Sequence, residues 1–418
     1  MGLLAIAELF DMYDAALVTI ALKQIQQGLA IPEAQVSAVA GTIRLGMLFS
    51  FGVTLFADRF GRRRLLLVTL IGFSIFTFLS ARARTAEEFV WAQLIARAFI
   101  GAEVMLASVV VIEELSARDR GWGLGVLGAL GALGYGLAAF AFAFVDLLPG
   151  GWRALYVAGG APLLVVAWMR RRLPETERFE AHRAARAARA ERGGARETLR
   201  PLASLFAAYP GRLLAMCSFV VVFDFVHWPV FGLLAKSMQD VHGFSAGTVS
   251  VVVIAGGALG ILGNLLAGVL GDRVGRRVVM FALLCLHGAS AYAFYNGDRV
   301  AAVVAWIGIT FAATGLGVLL KALGSELFPT SYRSTAAGVR LVVATLGGYL
   351  GYQAESWIYP HALAVLGDVE NATQLAHALA LTWMLPGLVL AAALIFFLPE
   401  TAGRELEDIS PERDEATG

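Results

Sequence analysis

Twelve long apolar runs dominate this chain, and no other feature constrains its fold as strongly. They fall near residues 2–27, 36–57, 65–81, 88–113, 122–146, 153–170, 213–236, 247–271, 277–296, 300–325, 334–359 and 377–398. A helix crossing a bilayer needs about 20 mostly apolar residues. Inside lipid its backbone polar groups must pair with one another, which runs of this length achieve as helices. Charged residues are 16% of the 418, against roughly 25% in soluble domains. Mean hydropathy is +0.71. The expected fold class is an all-α membrane protein of twelve spans, numbered 1 to 12 below. Span 1 carries Glu8, Asp11 and Asp14 and is a poor signal peptide. Cys217 and Cys285 lie in separate runs, so a disulfide scaffold or cysteine-rich metal site is not expected.

The few charges are placed with a pattern. Connections after even-numbered spans, with the C-terminal tail, hold 23 Lys/Arg; those after odd-numbered spans hold 6. Basic loops stay on the cytoplasmic side. Both termini are therefore expected in the cytoplasm of a cell whose inner membrane holds the chain. The longest polar stretch follows span 6, where Arg183, Arg186, Arg189 and Arg192 recur among alanines. It reads as a solvated basic surface helix attracted to anionic lipid. Only Lys23, Lys236 and Lys321 are lysine, a scarcity that genome composition explains more readily than function.

An internal repeat is written in the same charges. FADRFGRR (56–63) after span 2 matches LGDRVGRR (270–277) after span 8. FDMYD (10–14) in span 1 has a counterpart in FDFVH (223–227) in span 7. Glu113 precedes Arg120 by seven residues, and Glu326 precedes Arg333 by seven. PETER (174–178) and PETAGR (399–404) close the two halves. The expected organisation is a six-helix half over 1–172, a basic linker over 173–211, a second half over 212–400 and a tail over 401–418. Parallel repeats of this kind place a substrate site between the halves near mid-membrane.

At these motifs the chain resembles the major facilitator superfamily over nearly its whole length. GVTLFADRFGRRR (52–64) and AGVLGDRVGRR (267–277) match the family's loop motif and its second copy. RAFIGAEVMLAS (97–108), the two PET boxes and ELFPTSYRSTAAG (326–338) look like sugar porters and metabolite:proton symporters. FDMYDAALVTIALKQIQ (10–26) looks like helix 1 of acid:proton symporters. Span 7, MCSFVVVFDFVHWPVFGLL (216–234), lacks the paired glutamines of sugar porters, and span 5 lacks the Gly-Pro motif of drug antiporters. The resemblance implies proton-coupled uptake of a small organic solute, an organic acid or related metabolite, by rocking of two halves. Export or facilitated diffusion, and a transporter-like sensor, are the alternatives.

Ionisable groups inside spans are costly, by about 2.5–3.5 kcal/mol on insertion scales, and face cavities or partners. Asp14 in span 1 and Arg97 in span 4 lie at depths differing by roughly 6 Å at 1.5 Å per residue. The resemblance likewise implies a helix 1 aspartate coupled to a helix 4 arginine at these positions. Asp14, Asp11, Arg97 and Glu103 are the expected proton-coupling residues, with Asp14 the leading carrier. A permanent ion pair locking spans 1 and 4 is the plain alternative. Arg44, Asp224, His227, Trp228, Tyr349 and Gln353 are the expected substrate contacts. For Arg44 a pair with span 1 acids, and for His227 a packing role, stay open. Trp228 next to Pro229 predicts a bend that frees backbone carbonyls. Arg340 reads as a snorkelling anchor, and Glu355 as part of an outer gate. Gly347 and Gly348 fit a close-packed helix interface as well as a cavity wall.

At the cytoplasmic loops, Asp58 and Asp272 are expected to accept from a helix N-terminus, which favours an anion. Arg62 and Arg63 are expected to pair with Glu113 or Glu114, and Arg276 and Arg277 with Glu326. Arg120 and Arg333 complete the expected gating set. The sequence carries no G-x-x-x-x-G-K-[ST] loop and no H-E-x-x-H. No cofactor, no metal, no enzymatic activity and no nucleic-acid partner are expected. The expected partners are a small-molecule substrate, protons and the lipid bilayer, and the expected state is a monomer.

Overall fold

The computed structural model of the chain describes residues 2–54, 62–114, 120–170, 195–404 and 409. Among them every regular element is a helix. Span 1 becomes α1 (Gly2–Ile20) and α2 (Leu22–Gly28), and span 2 becomes α3 (Glu33–Arg44) and α4 (Gly46–Thr54). Spans 3 to 6 are α5 (Arg62–Arg82), α6 (Ala86–Glu114), α7 (Arg120–Phe142) and α8 (Trp152–Arg170). After the linker helix α9 (Ala195–Ala208) come α10 (Pro210–Asp240), α11 (Ala246–Val274), α12 (Arg276–Asn296) and α13 (Arg299–Glu326). Span 11 is α14 (Arg333–Leu366), and span 12 is α15 (Ala372–Met384) with α16 (Pro386–Leu394). The arginine-rich stretch Arg183–Arg192 lies outside the described residues.

Nine of the described helices are long and apolar enough to cross a membrane. Spans 1, 2 and 11 are not among them, and each has a reason. Span 1 holds three carboxylates, and span 11 holds Arg340, Gln353 and Glu355. Span 2 is interrupted at Leu45. There α4 runs so close to α6 that a Cβ on Gly46 would stand 2.1 Å from the Leu94 carbonyl oxygen.

The chain forms two compact units, Met1–Glu191 with Phe231–Ile254, and Arg192–Val230 with Ala255–Gly418. In the first, α1 is held against α7 at Gly134, where a Cβ would stand 1.9 Å from the Leu9 carbonyl oxygen. Tyr13 donates to the Leu155 carbonyl at 3.0 Å, tying α1 to α8. Leu70, Phe73, Ala96, Ile100 and Leu163 fill the core between α5, α6 and α8.

The second unit repeats the device. Gly347 and Gly351 of α14 press on α10, with Cβ positions 2.8 Å from the Val221 oxygen and 1.9 Å from the Phe225 oxygen. The close-packed reading of Gly347 is the one the structure bears out. Pro229 does not break α10, which runs through it. It does leave the carbonyl four residues back, that of Phe225, without its usual N–H. That is the carbonyl on which Gly351 lies.

Candidate functional site

In the first unit the site is built on α1 and α6. Asp14 is 1% exposed and Arg97 is 9% exposed. Arg97 Nη2 lies 3.8 Å from Asp14 Oδ2. The same nitrogen donates to the carbonyls of Asp14 and Ala15, each at 3.3 Å. Thr77 of α5 donates to Asp14 Oδ1 at 3.2 Å. The guanidinium is thus anchored on backbone oxygens, and its contact with the carboxylate is the looser one.

Asp11 is fully buried one turn away. Glu103 faces elsewhere: it accepts from Thr69 at 2.6 Å and neighbours Glu8 closely enough to repel it. Of the expected proton-coupling set, Asp14 and Arg97 are brought together, and Glu103 is engaged with Thr69 instead. Six residues along a helix is about 240° of rotation, which turns Glu103 away from Arg97. Arg44 ends α3 and is half-buried.

The first unit also holds a cluster that sequence reasoning missed. Lys236 is 3% exposed and lies 3.1 Å from Glu33 Oε2. It also pairs with Asp240, one turn on in α10. Lys23 meets Asp240 at 2.7 Å, and Gln24 donates to Gln239 at 2.7 Å. Two of the chain's three lysines meet in one place, which scarcity through genome composition does not account for. Removing one member of a buried charge pair costs about 3–5 kcal/mol. Lys236→Gln is accordingly expected to lower the Tm of the purified protein, and Asp240→Asn in the same chain to restore part of it. An unchanged Tm in the single variant would remove the cluster as a stabilising element.

In the second unit, α10 presents a ladder of rings. Phe219 stacks on Phe223 at 5.9 Å, and Phe223 on His227 at 5.0 Å. His227 Nδ1 lies 3.4 Å from Nε2 of His287 on α12. His287 is fully buried and was not singled out from the sequence, where it is one histidine in an apolar run. Trp228 donates its indole N–H to Asp224. Arg340 of α14 lies within electrostatic reach of Asp224. The snorkelling reading of Arg340 stays open beside this electrostatic coupling to Asp224. Tyr349 and Gln353 are half-buried on α14. The unit thus carries stacked aromatic faces and two imidazoles on α10 and α12, and a guanidinium on α14.

Of the cytoplasmic motifs, Asp58 lies outside the described residues, as do the side chains of Arg62, Arg63, Glu113 and Arg120. In the second copy Arg276 pairs with Glu326, as expected. Arg277 instead donates to the Phe396 carbonyl at 2.7 Å, with its guanidinium over the Phe396 ring. Arg333 donates to the Phe328 carbonyl at 3.3 Å. Asp272 pairs with Arg276 at 3.4 Å. The anion at the start of α12 is Glu400 of the PETAGR box, which accepts from the backbone N–H of Arg276 and Arg277 at 3.0 and 3.1 Å. Gly275 makes the turn at φ 115°, a region that favours glycine. Burial pushes the Glu400 carboxyl up. The N–H groups of Ala402, Arg277, Arg276 and Thr401 outweigh it and hold the group below the usual carboxylate range. Its stabilisation is therefore full above the ordinary carboxylate value and lost as pH falls through the lowered one.

The profile of the Major Facilitator Superfamily matches residues 4–352. The chain belongs to this family. A protein of Cupriavidus pinatubonensis described as a probable 4-methylmuconolactone transporter is 25% identical over 406 residues, 96% of this chain and 90% of its own. The 3-(3-hydroxy-phenyl)propionate transporter of Escherichia coli is 27% identical, covering 96% and 94%. The gallate transporter of Pseudomonas putida is 26% identical, covering 82% and 81%. Among solved structures, a D-xylose-proton symporter superposes with a TM-score of 0.76 at 18% identity, over 96% of this chain and 98% of that one. The fold is the twelve-helix one of this superfamily, in two pseudo-symmetric six-helix halves. The three spans that fail on apolar length are spans of that fold that carry buried or half-buried polar groups.

Proposed function

We propose that this member of the superfamily takes up a small organic acid together with protons, by alternating access, with Asp14 as the proton carrier. The observation that carries the reading is the Asp14–Arg97 pair: a carboxylate 1% exposed, 3.8 Å from a guanidinium that is separately anchored on the backbone of α1. With the arginine near, the carboxylate stays ionised; moved apart in a desolvated site, it takes a proton. A group that alternates between those settings carries one proton per cycle.

Arg340, His227, Trp228 and the Phe223 ring are the proposed contacts for the acid, with the guanidinium facing the carboxylate. Tyr349 and Gln353 lie on the same helix as Arg340, and Arg44 of the first unit is proposed, on its own, to contact an anionic group. The names of the relatives, which transport ring-bearing acids and a lactone, favour this substrate class over sugars. Arg276, Glu326 and Glu400 are proposed to hold the cytoplasmic end of the second half while the halves rock, in the inner membrane with both termini cytoplasmic.

The test is uptake into liposomes under an imposed pH gradient, with labelled gallate, nicotinate, 3-(3-hydroxyphenyl)propionate and xylose. Accumulation of an aromatic acid that collapses with a protonophore supports the reading. Equilibration without accumulation would make the protein a facilitator, and xylose as the solute taken up would overturn the substrate class.

A further inference from the structure

One buried carboxylate has no part in the scheme above. Glu355 of α14 is 0% exposed. Its Oε1 lies 2.8 Å from Nδ1 of His377 on α15, itself 3% exposed. Its Oε2, equally buried, has no hydrogen-bond partner among the described residues. His377 is the only cation-forming group paired with Glu355 there. Tyr359, one turn along α14, lays its ring 4.4 Å from the imidazole and donates its hydroxyl to the Thr373 carbonyl at 3.0 Å. The pair is caged by an aromatic ring on one side and the start of α15 on the other.

The neighbouring helices supply other titratable groups. On α12, His287 is engaged with His227 and Tyr295 donates to the Val230 carbonyl at 2.6 Å. Tyr292 is also on α12, Arg299 begins α13, and α14 adds Tyr352.

Charge counting then limits what the pair can be. Without a proton it carries −1, with one it is neutral, and with two it carries +1. A low-dielectric interior disfavours either net charge. The neutral form holds one proton, placed here on the His377 ring, which faces an ionised Glu355 across the 2.8 Å contact. His377 is five residues into α15, so about 8 Å from the helix start at 1.5 Å per residue.

We propose that Glu355 and His377 form a second proton-holding site, confined to the second unit and separate from Asp14. Its use in transport rests on the proton coupling proposed above; its existence does not.

The experiment uses full-length protein in lipid, labelled with ¹⁵N at its histidines, and reads ring protonation by NMR at about pH 7. One ring is expected to carry protons on both nitrogens. His377→Gln should delete that signal. Glu355→Gln, which keeps a hydrogen-bonding side chain of the same shape, should convert it to a neutral ring, and Asp14→Asn should leave it in place. A His377 ring neutral in the wild type, or one unaffected by Glu355→Gln, would overturn the proposal and leave a hydrogen bond tying α14 to α15. A protonated ring in a protein whose uptake ignores the pH gradient would keep the site and sink the coupling instead.

Discussion

Asp14→Asn is expected to abolish concentrative uptake while leaving solute exchange intact. A gradient of one pH unit is worth about 1.4 kcal/mol per proton, a tenfold concentration ratio. Wild-type liposomes with one coupled proton should therefore approach a tenfold accumulation of the acid for each unit of pH gradient. The asparagine variant should stop near a ratio of about one. Asparagine retains an acceptor for Thr77 and leaves the backbone anchors of Arg97 untouched, so the helices should remain packed. Counterflow, which needs binding and rocking but no net proton movement, is the control for that. Asp11→Asn, one turn away and equally buried, is expected to keep accumulation. If Asp14→Asn still concentrates the acid, Asp14 is not the carrier; if Asp11→Asn alone abolishes accumulation, the role passes to Asp11. Loss of both accumulation and counterflow in Asp14→Asn would instead fit a locking ion pair between α1 and α6.

What the sequence made legible followed from one-dimensional quantities. Apolar run length located the spans to within a few residues, because lipid imposes a length on any spanning helix. Depth along two antiparallel helices was enough to bring Asp14 and Arg97 together. Pairings that depend on rotation about the helix or on docking were harder. Glu103 shares a helix with Arg97 but points to α5. At the start of α12 the sequence suggested Asp272, the nearer carboxylate in the chain. The fold delivers Glu400 from more than a hundred residues away. Lys23, Glu33, Lys236 and Asp240 could not be grouped from the chain because their meeting requires the ends of α2, α3 and α10 to converge. His287 had no neighbour in sequence to mark it. The Glu355–His377 pair was half visible: Glu355 stood out as a charge in a span, and His377 looked like the polar start of the next one.

The largest structural effect is expected at Gly351. An added Cβ would stand 1.9 Å from the Phe225 oxygen and 2.7 Å from its carbon, and both are backbone. Neither helix can give locally, since α10 and α14 run unbroken through the contact. Phe225 is also the residue whose carbonyl Pro229 leaves without an N–H, and the bare Cα of Gly351 is what covers it. Overpacking typically costs about 1–3 kcal/mol. With backbone on one side of the clash, Gly351→Ala should fall at or beyond the upper end and lower Tm by about 3 °C or more. Gly134→Ala should behave alike in the first half, where the Leu9 oxygen would be 1.9 Å away. Gly268→Ala, on α11 with nothing within 4 Å of its Cβ position, is the contrast. It should leave Tm unchanged or raise it, since alanine is favoured over glycine in a helix by about 1 kcal/mol. Equal Tm values for Gly351→Ala and Gly268→Ala would mean that α10 and α14 do not approach each other at that glycine. The close packing of the seventh and eleventh spans would then be wrong.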